Sequence, residues 1–167
     1  MGRFRNLLDM VKEGRVGFQI DEEMVGEHEF EPGFGPPGRH PMVFHVTWGP
    51  RRILPWLSPF GDDFLKQPLA GTVTISGLCE QAPCEGTLLL RYFSHKKIRY
   101  TFDFRGGETD YHYVGEKVHI MPWNLPVSHT TCFGTVVETE SRRLVSRSVL
   151  HFRLSTMPAF LGSFRLG

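Results

Sequence analysis

The chain has 167 residues, 40% hydrophobic and 22% charged, with 19 basic against 18 acidic residues and a net charge of +1. That length carries one sizeable core and points to a single domain spanning residues 1–167. The charges are mixed along the chain, which argues against a nucleic-acid partner, and no apolar run is long enough for a membrane span.

Met1 to Arg15 carries Arg3, Arg5, Lys12 and Arg15 without a continuous apolar stretch, so a secretory signal is not expected and the cytoplasm is the expected compartment. Within it Phe4, Leu7, Leu8 and Val11 recur at helical spacing before Gly14, which predicts a short amphipathic helix over residues 1–14. Gln19 to Phe30 then reads as a polar strand and Met42 to Trp48 as an alternating one, separated by a Gly/Pro-rich loop. Residues 49–68 form a long irregular crossing segment, a candidate lid, with one helical turn expected near Asp62 to Gln67.

Six more strands are expected at about 71–77, 86–93, 98–105, 110–120, 128–138 and 143–154. Their short connections, Ser94-His95-Lys96-Lys97, Gly106-Gly107-Glu108 and Glu140-Ser141-Arg142, look like hairpin loops and make neighbours antiparallel. Eight strands are enough to close around one small ligand. Phe160 to Leu166 is an apolar tail expected to dock on the barrel.

Faces follow from cost. In Ile98 to Arg105, Ile98, Tyr100, Phe102 and Phe104 share one face and Arg99, Thr101, Asp103 and Arg105 the other. Burying an unpaired carboxylate or guanidinium costs several kcal/mol, about as much as or more than one ring returns, so the ring face points inward. Extended along the series, the inner face holds Trp48, Tyr92, Tyr100, Phe102, Phe104, Tyr111, Tyr113, His129, Phe133, Ser146, Ser148 and Phe152. Large rings with a few hydroxyls suit an apolar ligand, although rings also pack barrels shut.

Other motifs are weaker. Gly33-Phe34-Gly35-Pro36-Pro37-Gly38 matches the dinucleotide fingerprint by letter, but two prolines remove donors and the flanking Glu27 to Glu31 is acidic. No metal is expected from the eight histidines, which lack ligand spacing, and no cofactor is implied. Cys79 and Cys84 flank an expected turn, Glu80-Gln81-Ala82-Pro83, and with Cys132 are read as free thiols. Among acid-base candidates, Asp103 and His151 sit beside arginines on outer faces. His119 is a further candidate, Glu116 and His129 are harder to dismiss, and His129 could act among Tyr111 and Tyr113.

Leu69-Ala70-Gly71-Thr72-Val73-Thr74, Gly86-Thr87-Leu88, Lys97-Ile98-Arg99-Tyr100, Thr130-Thr131-Cys132-Phe133-Gly134-Thr135 and the upstream Glu22-Glu23-Met24-Val25-Gly26 carry a resemblance. Across most of residues 18–154 the chain resembles the lipocalin-like domain attached to cholesterol-oxidase-like, flavin-dependent glucose-methanol-choline oxidoreductases. The resemblance implies an all-β, eight-to-ten-stranded antiparallel, lipocalin-like (calycin-type) barrel. It also implies a lipid- or sterol-like ligand, or a separate flavin-dependent oxidoreductase as partner, since no Rossmann unit is present here. It supplies no site residues, so the pocket set rests on strand alternation.

Three readings follow. One is a binding protein for a hydrophobic small molecule. The second is a small barrel enzyme, an isomerase, cyclase or hydratase using Tyr113, His129 or Glu116. The third is a filled barrel whose working surface is an apolar patch at Pro55-Trp56-Leu57.

Overall fold

Alternating side chains divide each strand of this chain into two faces, and the computed structural model shows where those faces go. It describes residues 17–91, 97–117, 131–152 and 165–166. The expected N-terminal helix lies outside the described residues.

The strands are β1 (Phe18–Phe30), β2 (Arg39–Trp48), β3 (Lys66–Ile75), β4 (Cys79–Arg91), β5 (Lys97–Gly106), β6 (Thr109–Lys117), β7 (Thr131–Glu138), β8 (Leu144–Phe152) and the two-residue β9 (Arg165–Leu166). Strands β2 to β8 pair in chain order; β1 then pairs with both β8 and β2, so eight antiparallel strands close a barrel without a free edge. Arg165 and Leu166 of the expected docking tail pair with Gln19 and Phe18.

The face assignment of β5 holds: Ile98, Tyr100, Phe102 and Phe104 are buried, whereas Asp103 and Arg105 are exposed. Inward residues of the other strands complete one core, including Met24, Phe44, Leu69, Val73, Leu88, Tyr113, Val136 and Leu150. Gly107 adopts a φ of 61° at the first position of the two-residue β5–β6 loop, where only glycine avoids a Cβ penalty.

Two expectations are corrected. The helical turn of the crossing segment is α1 (Ile53–Leu57), not Asp62 to Gln67, because β3 already starts at Lys66. Trp56 anchors this turn, packing edge-on against Phe18 at 5.4 Å and donating its indole N–H to Gln67 Oε1 at 2.6 Å.

Nor do Cys79 and Cys84 flank a turn, for both lie within β4. The turn sits earlier, at Ser76-Gly77-Leu78, and Gln81 takes a φ of 44° where the β3–β4 register shifts between Val73 and Ile75. The apparent turn residues make a bulge, in which Gln81 N–H donates to Thr74 Oγ1 at 2.9 Å. All three cysteines are free.

The two barrel ends differ. Connections 31–38, 76–78, 107–108 and 139–143 gather at one end, and 49–65 crosses the other, where the described parts of β4 and β6 also finish. Because 49–65 and the stretch between β6 and β7 are far longer than a hairpin needs, the second end is where the chain departs most from a minimal barrel.

Candidate functional site

Strand alternation brings two charged side chains inside, near the end with the long connections. Glu22 lies two residues before the buried Met24 on β1, and Lys117 four residues after the buried Tyr113 on β6; each side chain is only 4% exposed. Lys117 Nζ donates to Glu22 Oε1 at 2.7 Å. Tyr100 O–H reaches both carboxylate oxygens, at 3.0 and 2.9 Å, and Trp48 Nε1–H donates to Oε2 at 2.9 Å.

The carboxylate is therefore surrounded by donors, and its charge is matched by one ammonium. The ammonium has fewer partners. Among the described residues Glu22 is its one acceptor, and the ring faces of Tyr100, 5.1 Å away, and Phe152, 6.0 Å away, lie beside it. Burial first, and then the Glu22 charge, hold the Tyr100 hydroxyl well above its usual pKa, so it stays a donor.

Deeper in, the rings expected to line a pocket fill it. Phe102 stacks on Tyr113 at 4.6 Å, and Phe44 packs on Phe102 at 5.4 Å, on Tyr113 at 5.9 Å and on Tyr100 at 5.7 Å. Phe104 stacks on the half-buried Tyr111 at 5.4 Å. The middle of the barrel is a packed ring layer.

The Tyr113 hydroxyl meets Cys132 Sγ at 3.8 Å, and burial pushes that thiol up to about 12. A thiol held protonated in this way is a poor nucleophile.

Of the residues expected inside, Tyr100, Phe102, Phe104, Tyr113, Ser148 and Phe152 are buried and inward, and Trp48 is half-buried with its indole on Glu22. Tyr92 and His129 lie outside the described residues, as does His119. Phe133 is a correction: it is 52% exposed, directly across from Val149, which is 42% exposed, on the outer face of β7 and β8. The inward residues of β7 are instead Cys132, Gly134 and Val136. A Cβ at Gly134 would overlap the Tyr113 ring and hydroxyl, so β7 must present its small residues to this ring.

Glu116 is likewise on the outside, bound by Arg99 at 2.6 and 2.9 Å and by Lys97 at 3.3 Å. The Arg99 guanidinium is the main reason its carboxyl sits below the ordinary range. Asp103 pairs with His112 Nδ1 at 2.6 Å on the outer face, and His151 is exposed. Gly33 to Gly38 is an ordinary loop between β1 and β2.

Sequence reasoning passed over Glu22 and Lys117, although parity carried the signal. Tyr111, Tyr113 and Gly115 lead by twos to Lys117, and Met24 leads by two back to Glu22.

Compared with known proteins, the chain matches no protein-family model, no curated protein and no solved structure.

Proposed function

We propose that the barrel binds an apolar small molecule at the end with the long connections, and that Lys117 donates a hydrogen bond to an oxygen of that molecule. The observation that carries this reading is the buried ammonium, whose one acceptor among the described residues is Glu22 and which lies beside the rings of Tyr100 and Phe152. A ligand oxygen would complete its coordination, and the rings would supply apolar contact.

Charge selects the ligand further. Glu22 already neutralises Lys117, so a ligand carboxylate would bring an uncompensated negative charge beside Glu22, whereas a ketone or alcohol would bring none. The ligand class is thus a neutral, mainly apolar molecule with a carbonyl or hydroxyl group. Leu54, Leu57 and the 98% exposed Phe60 place apolar side chains on the segment that crosses this end, a surface suited to receiving such a molecule. The lipocalin-like relationship, the lipid- or sterol-like character of the ligand and the flavin-dependent oxidoreductase partner are supported by the sequence resemblance of residues 18–154 and belong to the same reading. The enzyme alternative loses Glu116, which faces outward in ion pairs.

The test is binding by native mass spectrometry and tryptophan fluorescence with matched long-chain alcohols, methyl ketones, carboxylates and alkanes. Alcohols and ketones are expected to bind, and a Glu22→Gln, Lys117→Met double variant to weaken them about tenfold or more, the worth of one good hydrogen bond. Binding of none of the four classes, or equal binding by the double variant, would defeat the proposal.

A further inference from the structure

A second group of polar side chains lies inside the barrel on β1 and β8, away from Lys117. His28, Ser146 and Ser148 are 1%, 0% and 3% exposed. Their His28 Nδ1, Ser146 Oγ and Ser148 Oγ atoms are buried without a hydrogen-bond partner among the described residues. They are neighbours: His28 is directly across from Ser148, and Phe30 from Ser146. Gln67 Nε2 is a further buried atom of this kind, but its amide stands apart on β3, where its oxygen holds Trp56.

The chemistry of the cluster is specific. His28 Nε2 lies 2.9 Å from the Ser76 carbonyl, which can only accept, so Nε2 carries the ring hydrogen and Nδ1 is left as an acceptor. Burial lowers the pKa of this ring, in keeping with a neutral imidazole. The site thus combines one acceptor with two hydroxyls that can donate or accept. Among the described residues the nearby cations, Arg39 and Arg147, are exposed and paired with Glu29 and Glu31, which leaves no positive charge for an anion there. A metal ion finds no anionic ligand, since Glu27 and Glu29 are more than half exposed on the outer face in pairs with Arg39. What matches is a small group that both donates and accepts.

We propose that His28, Ser146 and Ser148 form an enclosed site for a small hydroxyl-bearing guest, either water or a short alcohol. The guest donates to His28 Nδ1 and accepts from a serine hydroxyl. The Tyr113 hydroxyl lies next to Ser148. The inference is independent of the proposed ligand at Lys117.

Magnetic cross-relaxation on the folded wild-type protein tests it. In plain buffer, the His28 ring protons and the Ser146 and Ser148 resonances are expected to show contact with a long-lived water. The signal should persist in Tyr113→Phe, which removes a neighbouring exchangeable hydroxyl proton, and in Ser146→Ala and Ser148→Ala taken one at a time, and the serine contacts should vanish in His28→Phe. Methanol separates the two guests: saturable shifts confined to these resonances identify an alcohol site, and unchanged water contacts identify water alone. Absence of both water and methanol contacts in the wild-type protein overturns the proposal. Stability gives an independent reading. With a guest in place, Ser146→Ala with Ser148→Ala is expected to lower Tm by about 3 °C or more. A raised Tm would mean that the hydroxyls were merely unsatisfied, and would overturn it as well.

Discussion

At the scale of single residues, the Glu22–Lys117 pair dominates. Its members are 95 residues apart in sequence and touch only because β1 and β6 face each other across the barrel interior. Removing one partner of a buried pair strands the other, at a cost of about 3–5 kcal/mol, whereas replacing both by apolar groups of similar volume is often neutral or stabilising. Lys117→Met alone is therefore expected to lower the urea midpoint sharply, and Glu22→Leu with Lys117→Met to restore most of it. A double variant as unstable as the sum of its parts would show that the surrounding donors of Tyr100 and Trp48, rather than the ion pair, set the cost. The same pair shows where sequence reasoning stops. The rule that charges stay outside places Asp103, Arg105 and His151 correctly, because each has water or a surface partner, and it would have placed Glu116 there too had it been applied to that candidate acid. It fails for two opposite charges that neutralise each other inside, since no local pattern announces a partner on a distant strand.

At the scale of elements, small residues decide which face of a strand can turn inward. On β7 the aromatic Phe133 suggests one phase, yet Gly134 is inside because the Tyr113 side chain lies over it. Register makes this a pairwise fit: Gly115 of β6 is paired with Gly134, and a Cβ at either position would collide with Tyr113. Tyr113 is fully buried and packed on Phe102 and Phe44, so its ring has little freedom to yield. Gly134→Ala is expected to destabilise by about 1–3 kcal/mol, as overpacking does, and Tyr113→Phe in the same chain to recover part of that loss. Additive effects of the two substitutions in chemical denaturation would refute the contact. On β4 the segment Glu80-Gln81-Ala82-Pro83 has a turn-like composition, but the chain uses it for a bulge within a continuous strand. Composition distinguishes turn from strand poorly here, because a bulge needs the same residues.

At the scale of the whole molecule, the barrel encloses several groups that must stay protonated. Burial pushes the thiols of Cys84 and Cys132 from an ordinary 9.0 up to about 12, and holds the hydroxyls of Tyr100 and Tyr113 well above 10.0. In each case the folded state keeps a proton that the unfolded chain gives up. The associated stability is complete below about pH 9, begins to fall as the unfolded thiols ionise, falls more steeply once the unfolded tyrosines follow above about pH 10, and for the thiols is fully lost near pH 12. Thermal unfolding is therefore expected to hold a flat Tm up to about pH 9 and then decline in two stages. Cys84→Ala with Cys132→Ala should shrink the first stage to the share of Cys79, whose thiol burial also raises, while Tyr113→Phe should leave the onset in place and soften the later part. A Tm that stays flat to pH 11 would mean that these groups ionise freely in the folded protein, which the packed ring layer of Phe44, Phe102 and Tyr113 does not permit. The ring series legible in the sequence thus describes a wall across the barrel more than the lining of a hollow, and it confines the proposed apolar ligand to the end where Lys117 lies.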